Sequence, residues 1–274
     1  MLTFVGAGGV GKTRFVVRLA HSVHRLYPGG AWYIDLSGVS AEGSVVEEAA
    51  RALGLQGAAT AGLGAISQFF GARRGLLVLD HCEQVVDQCA QLVRHLLDSC
   101  PKMTVIATSR AALRITAERI FVVEPLDTDG PDREIPSSAV HLFLERCASI
   151  LPHPTPDDLE RIAEICRRVD GLPLAIELAA ARVQALTPAH IVERLAEPLA
   201  FLTDGNRDLP VRQQSMRATV EWSYQLCTRA ERALWRRMSV FAAGWDLHSA
   251  EWMTAGWLAD RLTVDLIQSL LEKS

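Results

Sequence analysis

Short apolar runs alternate with amphipathic stretches through the first half of the chain. Five of these runs have the length of buried strands, and the segments between them carry apolar residues at helical spacing, as Phe15, Leu19 and Val23 do. Strands that alternate with helices predict an α/β fold with a five-stranded parallel sheet covered on both faces. The predicted strands span residues 1–5, 31–36, 75–80, 103–108 and 119–123, and the predicted helices span 12–26, 44–53, 66–73 and 84–98.

The second half of the chain carries helical patterns alone. A polar segment with two prolines, at 127–136, separates the two kinds of pattern. Thr155 before Pro156 predicts a helix start, because Thr is a favoured N-cap residue and Pro fits the first turn. A second break is predicted at 204–206, where Asp, Gly and Asn follow one another. The sequence therefore predicts three parts, at residues 1–128, 129–204 and 205–274.

A glycine-rich loop follows the first predicted strand and precedes the first predicted helix. It meets the pattern G-x-x-x-x-G-K-[ST], in which glycines let backbone N–H groups surround phosphate oxygens. The lysine adds positive charge at the β- and γ-phosphates, the hydroxyl can bind Mg²⁺, and the helix N-terminus favours an anion. We predict that nucleotide and Mg²⁺ bind at the loop formed by Gly6, Ala7, Gly8, Gly9, Val10, Gly11, Lys12 and Thr13.

Charged residues follow two further predicted strands. Asp80 ends the run LLVLD and would hold Mg²⁺ through water, in the manner of a Walker B acid, while Arg110 in TSR would reach the γ-phosphate. His81 and Glu83 are candidates for orienting or deprotonating an attacking water. Two other interpretations stay open at this point: Asp80 as a turn or helix-cap residue, and Arg110 as a solvated loop arginine.

Composition narrows the class of protein. The chain has 274 residues, 49% hydrophobic and 22% charged, as in ordinary globular proteins, and its net charge of −4 gives no general case for a polyanionic partner. Six cysteines are scattered without a C-x-x-C pair, which favours reduced thiols and a cytoplasmic location. The sequence shows neither a signal peptide nor an apolar stretch of about 18 residues, so no membrane association is expected.

Several longer stretches together resemble a known family. The chain looks like the nucleotide-binding core of STAND P-loop ATPases, a signal-transduction class related to NB-ARC domains. It is most similar to the bacterial multidomain transcriptional regulators of the SARP and large LuxR type. The stretches that carry the resemblance are GAGGVGKTR, LLVLDHCEQV, VIATSR, DGLPLAIELAAARV, RQQSMRATVEWSY and ERALWRRMSVFAAGWDLHSAE.

The resemblance implies a P-loop domain at 1–128, a small helical domain at 129–204 and a C-terminally incomplete winged-helix domain at 205–274. It implies that ATP or ADP binds, that Arg14 joins the nucleotide-binding set, and that Pro173 in the GLP turn packs against the adenine. From the residues alone, that turn is simply a helix start with Pro in the first turn. The resemblance also implies that the winged helix packs on the nucleotide domain, which argues against direct DNA contact.

Some features depart from the family pattern. His81 stands where many relatives carry Asp or Asn, so hydrolysis is expected to be slow or absent. The usual upstream segment and the effector and sensor domains are missing, so the chain is expected to be a fragment or a truncated reading frame.

The resulting hypothesis is a molecular switch, closed with ADP and open and self-associating with ATP. Two alternatives remain: a P-loop ATPase with genuine turnover, and an interaction or DNA-binding module whose nucleotide site is vestigial.

Overall fold

The computed structural model describes residues 1–40, 43–55, 62–130, 136–195, 202, 216–225, 227–241, 245–255 and 260–273. By compactness the chain divides into two units. The first unit comprises Met1–Ala7, Lys12–Val123 and Leu234–Ser274. The second unit comprises Gly8–Gly11 and Glu124–Ala233.

A five-stranded sheet forms the centre of the first unit, and its strands run in the order β2-β3-β4-β1-β5. Every neighbouring pair is parallel, which confirms the predicted α/β fold. The observed strands differ from the predicted ones by one or two residues at their ends. They are β1 (Leu2–Val5), β2 (Ala31–Asp35), β3 (Leu76–Asp80), β4 (Thr104–Ser109) and β5 (Arg119–Val122).

Helices connect these strands as the periodicity predicts. The exception is the third helix, which lies three residues earlier than predicted. Gly71 has φ +51°, a value that L side chains rarely adopt, and its N–H bonds to the Ser67 carbonyl, so the helix ends there. The helices are α1 (Lys12–Val23), α2 (Val45–Ala52), α3 (Leu63–Phe70) and α4 (Val86–Ser99), with 3₁₀ turns at His24–Leu26 and Cys82–Gln84.

The sheet has apolar contacts on both faces, because side chains alternate along each strand. On one face, Leu77, Leu79 and Val105 lie in the larger core cluster together with residues of α2, α3 and α4. On the other face, Leu76 and Val78 join a smaller cluster that includes Val16 of α1. The central strand β3 is buried at all five positions, as expected for a strand covered on both sides.

Helices alone form the described part of the second unit. Thr155 is the N-cap of α6, as predicted, and it forms a capping box: its side chain accepts from the Asp158 N–H and Asp158 accepts from the Thr155 N–H. Helices α5, α6, α7 and α8 share one core, which includes Phe143, Ile162 and Ile176. The helices are α5 (Ser138–Cys147), α6 (Pro156–Arg168), α7 (Pro173–Ala181), α8 (Pro188–Arg194) and α9 (Met216–Gln225), with a 3₁₀ turn at Arg182–Gln184.

The last part of the chain also consists of helices where it is described. These are α10 (Arg229–Met238), α11 (Leu247–Thr254) and α12 (Asp260–Lys273), and a small core of Leu234, Met238 and Ala250 lies among them. No strand follows Val122 in the described residues, so the winged-helix domain at 205–274 stays a prediction. The predicted break at 204–206 lies outside the described residues. None of the helices described is long and apolar enough to cross a membrane.

Candidate nucleotide-binding site

The carboxyl ends of β1, β3 and β4 carry the candidate residues. These strands end at Val5, Asp80 and Ser109, and because they are parallel their ends share one edge of the sheet. The phosphate loop follows β1, His81 and Glu83 follow β3, and Arg110 follows β4. The fold therefore brings the polar residues predicted from separate stretches to one edge.

Two glycines of the loop adopt backbone conformations that L side chains rarely take. Gly9 has φ +83° and Gly11 has φ +97°, both in the left-handed region. At Gly11 an added Cβ would meet no heavy atom within 4 Å, so backbone conformation alone favours glycine there. Together these residues turn the chain from the end of β1 into α1, as the glycine pattern predicts.

Lys12, the first residue of α1, folds back over the loop. Its Nζ donates to the carbonyl oxygens of Gly6 at 2.6 Å and Ala7 at 3.0 Å. Burial lowers its pKa from 10.5 to about 8, Glu83 and Asp80 oppose that shift, and Arg110 adds to it. A partly buried ammonium held by neutral carbonyls would gain from an anion, and a phosphate is the anion that this loop pattern accommodates.

Asp80 is fully buried and accepts hydrogen bonds from hydroxyl groups on three other elements. Its Oδ1 accepts from Thr13 at 3.0 Å and also from Thr108, and its Oδ2 accepts from the Tyr33 hydroxyl at 2.5 Å. These bonds fix the carboxylate between α1, β2 and β4. The structure thus directs the Asp80 side chain at Thr13, the arrangement that the Walker B interpretation requires.

The Thr13 hydroxyl and the Asp80 carboxylate fit Mg²⁺. Both are hard oxygen ligands, they lie 3.0 Å apart, and Mg²⁺ is commonly held by one or two carboxylates together with substrate phosphates. When bound, the ion would neutralise charge on the phosphates. Thr13 would hold it directly, and Asp80 would hold it through water.

The His81 side chain faces the end of β2. The residue has φ +63°, and its Nδ1 lies 3.0 Å from Asp35 Oδ1 and 3.2 Å from Asp80 Oδ2. Burial raises the pKa of Asp35, but hydrogen bonds from the backbone and side chain of Ser37 and from His81 outweigh it, so the pKa is lowered. His81 is therefore held by two carboxylates.

Glu83 lies in the 3₁₀ turn that follows His81. Its Oε2 is buried and has no hydrogen-bond partner in the described part of the chain. The carboxylate is close enough to Lys12 to raise that residue's pKa. A buried carboxylate oxygen without a partner is costly, which makes Glu83 the candidate for holding a water or a ligand group at this edge.

Arg110 and Arg14 have different environments. Arg110 is only 7% exposed and close enough to Lys12 to lower its pKa, so it is not the solvated loop arginine of the alternative interpretation. Arg14 is exposed on the first turn of α1.

Pro173, the predicted adenine contact, is the first residue of α7 and is half-buried. Within the second unit, the Leu174 N–H donates to the Gly9 carbonyl oxygen at 3.2 Å. A Cβ on Gly9 would lie 2.9 Å from Leu174 Cβ, so close packing as well as φ favours glycine at this position. Adenine contact by Pro173 stays a prediction.

Sequence reasoning missed three residues of this edge, Tyr33, Asp35 and Thr108. Asp35 pairs with Asp80 in the register of β2 and β3, so the two aspartates end neighbouring strands at the same level. A signal was present, because both strand sequences end in an aspartate, YID and VLD. Tyr33 has no such signal, because its hydroxyl meets Asp80 only through the pairing of the strands.

Comparisons with known proteins agree with the resemblance. No protein-family model matches the chain. A candidate HTH-type transcriptional regulator of Mycobacterium tuberculosis, Rv0890c, is 39% identical over 280 residues, covering 100% of this chain and 30% of that protein. The uncharacterized M. tuberculosis protein Rv0894 is 36% identical over 256 residues, covering 92% of this chain and 63% of that protein. The regulatory protein AfsR of Streptomyces coelicolor is 28% identical over 278 residues, covering 98% and 26%. The chain thus spans less than two thirds of each relative.

One solved structure shows the same fold at low sequence identity, and a second gives a weaker match. Cdc6p from Pyrobaculum aerophilum matches with a TM-score of 0.50 and 16% identity, covering 99% of this chain and 79% of that chain. A STAND protein with a tetratricopeptide repeat sensor, PH0952 from Pyrococcus horikoshii, matches with a TM-score of 0.46 and 15% identity, covering 98% and 36%. The chain therefore has the α/β fold of P-loop ATPases and is a homologue of bacterial regulatory proteins, as its resemblance to the SARP and large LuxR-type core implies.

Proposed function

We propose that this chain is an ATP- and ADP-binding switch module of the STAND type, acting in transcriptional regulation or signal transduction with slow or no hydrolysis. One observation carries the proposal. The Thr13 hydroxyl lies 3.0 Å from the buried Asp80 carboxylate, while the preceding residue, Lys12, donates to two loop carbonyls. The residues that a Mg²⁺–nucleotide needs are thus intact and grouped, which argues against a vestigial site.

Each residue has a specific part in this proposal. Lys12 exchanges the Gly6 and Ala7 carbonyls for phosphate oxygens, and a phosphate is a stronger acceptor because it is charged. Arg110 contacts the γ-phosphate, which ATP has and ADP lacks. A contact made with only one of the two nucleotides can shift the balance between two conformations, and hydrolysis need not be fast for the switch to work.

A second candidate function, an ATPase with genuine turnover, is favoured by Glu83. Its unpartnered buried Oε2 lies in the electrostatic range of Lys12 and could orient an attacking water. His81 is less suited to that role because its Nδ1 is held between Asp35 and Asp80. Turnover at about 1 per second or faster, lost in Glu83→Gln, would favour this function over the switch.

The remaining parts of the proposal concern organisation. The small helical domain at 129–204 and the winged-helix domain at 205–274 would move with the nucleotide state, with Pro173 packing on the adenine and Arg14 beside the phosphates. The ATP form would self-associate. Effector and sensor functions would come from other parts of longer proteins, since the relatives extend well beyond the region that this chain matches.

Substitution of the phosphate-loop lysine tests the proposal. Lys12→Ala should weaken ADP and ATP binding at least about 100-fold, since several charge-assisted hydrogen bonds are lost at once. The control is Lys102→Ala, which changes an exposed lysine and should bind like the parent chain. Calorimetric titration measures the nucleotide affinity of the parent chain and of both variants. Equal nucleotide affinity in Lys12→Ala and the parent would contradict the proposal, and salt-dependent DNA binding without nucleotide binding would favour the vestigial-site alternative.

A further inference from the structure

A second group of potential ligands lies beside Asp80, on the side of its Oδ2. Asp35 and Asp80 are register partners at the ends of β2 and β3, and His81 follows directly. One side-chain ligand atom from each of these three residues lies within 4.8 Å of the others. The phosphate loop contributes none of these atoms, so the group is separate from the lysine and threonine of the loop.

The distances in this group match those between ligands of one metal ion. Two ligand atoms bound to one ion at about 2.1 Å lie about 3.0 Å apart at right angles and about 3.4 Å apart in a tetrahedron. His81 Nδ1 lies 3.0 Å from Asp35 Oδ1 and 3.2 Å from Asp80 Oδ2, within that range. An ion could therefore bind with little movement of the backbone.

The two carboxylate oxygens of Asp80 have different neighbours. Oδ1 accepts from Thr13 and Thr108, on the side proposed for Mg²⁺, whereas Oδ2 accepts from Tyr33 and lies near His81. The Tyr33 hydroxyl fixes Oδ2, as outer hydrogen bonds do for metal-binding carboxylates. The Asp35 side chain is 50% exposed, so an ion can reach the group from solvent.

We propose that Asp35, Asp80 and His81 form a second cation site that takes a divalent transition ion such as Zn²⁺ or Co²⁺. An imidazole nitrogen with two carboxylates suits these ions, whereas Mg²⁺ prefers oxygen ligands throughout. The site goes beyond the proposed switch function and needs no nucleotide. It shares one carboxylate with the Mg²⁺ position, so the two ions would occupy opposite sides of Asp80.

Cobalt absorption provides the test, with the nucleotide-free full chain and Co²⁺ as the probe. We expect one equivalent of Co²⁺ to bind, and binding should weaken at least tenfold in both His81→Asn and Asp35→Asn. Asn adopts positive φ more readily than most residues, so His81→Asn should keep the fold, which circular dichroism checks. The matched control is His153→Asn, an exposed histidine on the second unit, which should bind Co²⁺ like the parent chain.

Two further measurements separate this site from the nucleotide site. Lys12→Ala should bind Co²⁺ unchanged, even where it loses ADP, and a hundredfold excess of Mg²⁺ should leave the Co²⁺ signal in place. Equal Co²⁺ affinity in the parent and all three Asn variants would overturn the proposal, as would full displacement by Mg²⁺. If the parent chain does not bind ADP, the switch function is refuted and the metal proposal stays intact.

Discussion

Lys12 is the residue on which the account depends most. It is half-buried, it donates to two loop carbonyls, and its removal from water lowers its pKa to about 8. Removing a charge from water costs free energy, and hydrogen bonds to neutral carbonyls offset only part of that cost. A charged phosphate would offset more of it, so this lysine favours an anionic ligand.

The pKa of Lys12 predicts how ADP affinity depends on pH. Only the charged ammonium attracts phosphate, and in the free chain it deprotonates near pH 8, because its pKa is about 8. A bound phosphate favours the charged form and raises that pKa, so affinity should be constant below pH 7 to 8 and fall above it, by up to about tenfold per pH unit. Titration calorimetry at a series of pH values from about 7 to about 9.5 measures the ADP affinity. Constant affinity over that range would show that Lys12 is not the phosphate-binding cation.

The loop residues could be predicted from sequence because they are contiguous and stereochemically constrained. Gly9 and Gly11 need positive φ, and Lys12 and Thr13 must follow at once. Asp80 could be predicted from its place at the end of an apolar run. Tyr33 could not, because its bond to Asp80 depends on strand pairing 47 residues apart. The orientation of His81 toward Asp35 depends on its positive φ, which no local pattern indicated.

Helices and strands followed the sequence closely where their ends carry local signals. The predicted N-cap Thr155 forms a capping box, whereas the apolar periodicity predicts α3 three residues too late because it does not show that the helix ends at Gly71. The five strands were predictable because each is a short apolar run between polar segments. The packing of the helices in the second half of the chain was less predictable, since helical periodicity alone does not indicate which helices contact one another.

The N-cap of α6 should contribute to the stability of the fold, and substitutions at Thr155 measure that contribution. Thr155→Ala removes the acceptor for the Asp158 N–H and the hydroxyl that bonds to Asp158, and should lower the free energy of unfolding by about 1 kcal/mol. Thr155→Ser keeps the hydroxyl and should unfold with a free energy within roughly a few tenths of a kcal/mol of the parent chain's. Urea unfolding followed by circular dichroism compares the variants. A loss in Thr155→Ser as large as in Thr155→Ala would exclude the cap as the cause.

Gly171 joins α6 to α7 in a conformation that other residues rarely adopt. It has φ +65°, and a Cβ there would lie 2.0 Å from the Leu126 carbonyl oxygen. Gly171→Ala should therefore cost at least about 2 kcal/mol and lower Tm by several degrees. Gly38→Ala is the matched control, since a Cβ at Gly38 would meet no heavy atom within 4 Å. Differential scanning fluorimetry measures both, and similar Tm values for the two variants would contradict the role assigned to Gly171.

The molecule as a whole combines a P-loop ATPase fold with homology to bacterial regulators that are longer than this chain. Its sheet edge groups the buried Asp80 and Arg110 with the glycine-rich loop that follows β1, and the proposed nucleotide-dependent switch requires all three. The sequence predicted the sheet and this grouping. The winged-helix domain at 205–274 stays a prediction, since the described residues there show helices without the strands that would identify it.

The central claim is that this chain holds a nucleotide. Identifying what the purified protein releases on denaturation, by ion-exchange chromatography, tests it most directly. We expect close to one equivalent of ADP or ATP per chain, and close to none from Lys12→Ala purified in parallel. Absence of nucleotide from the parent chain, together with no binding of added ADP or ATP in titration, would contradict the account.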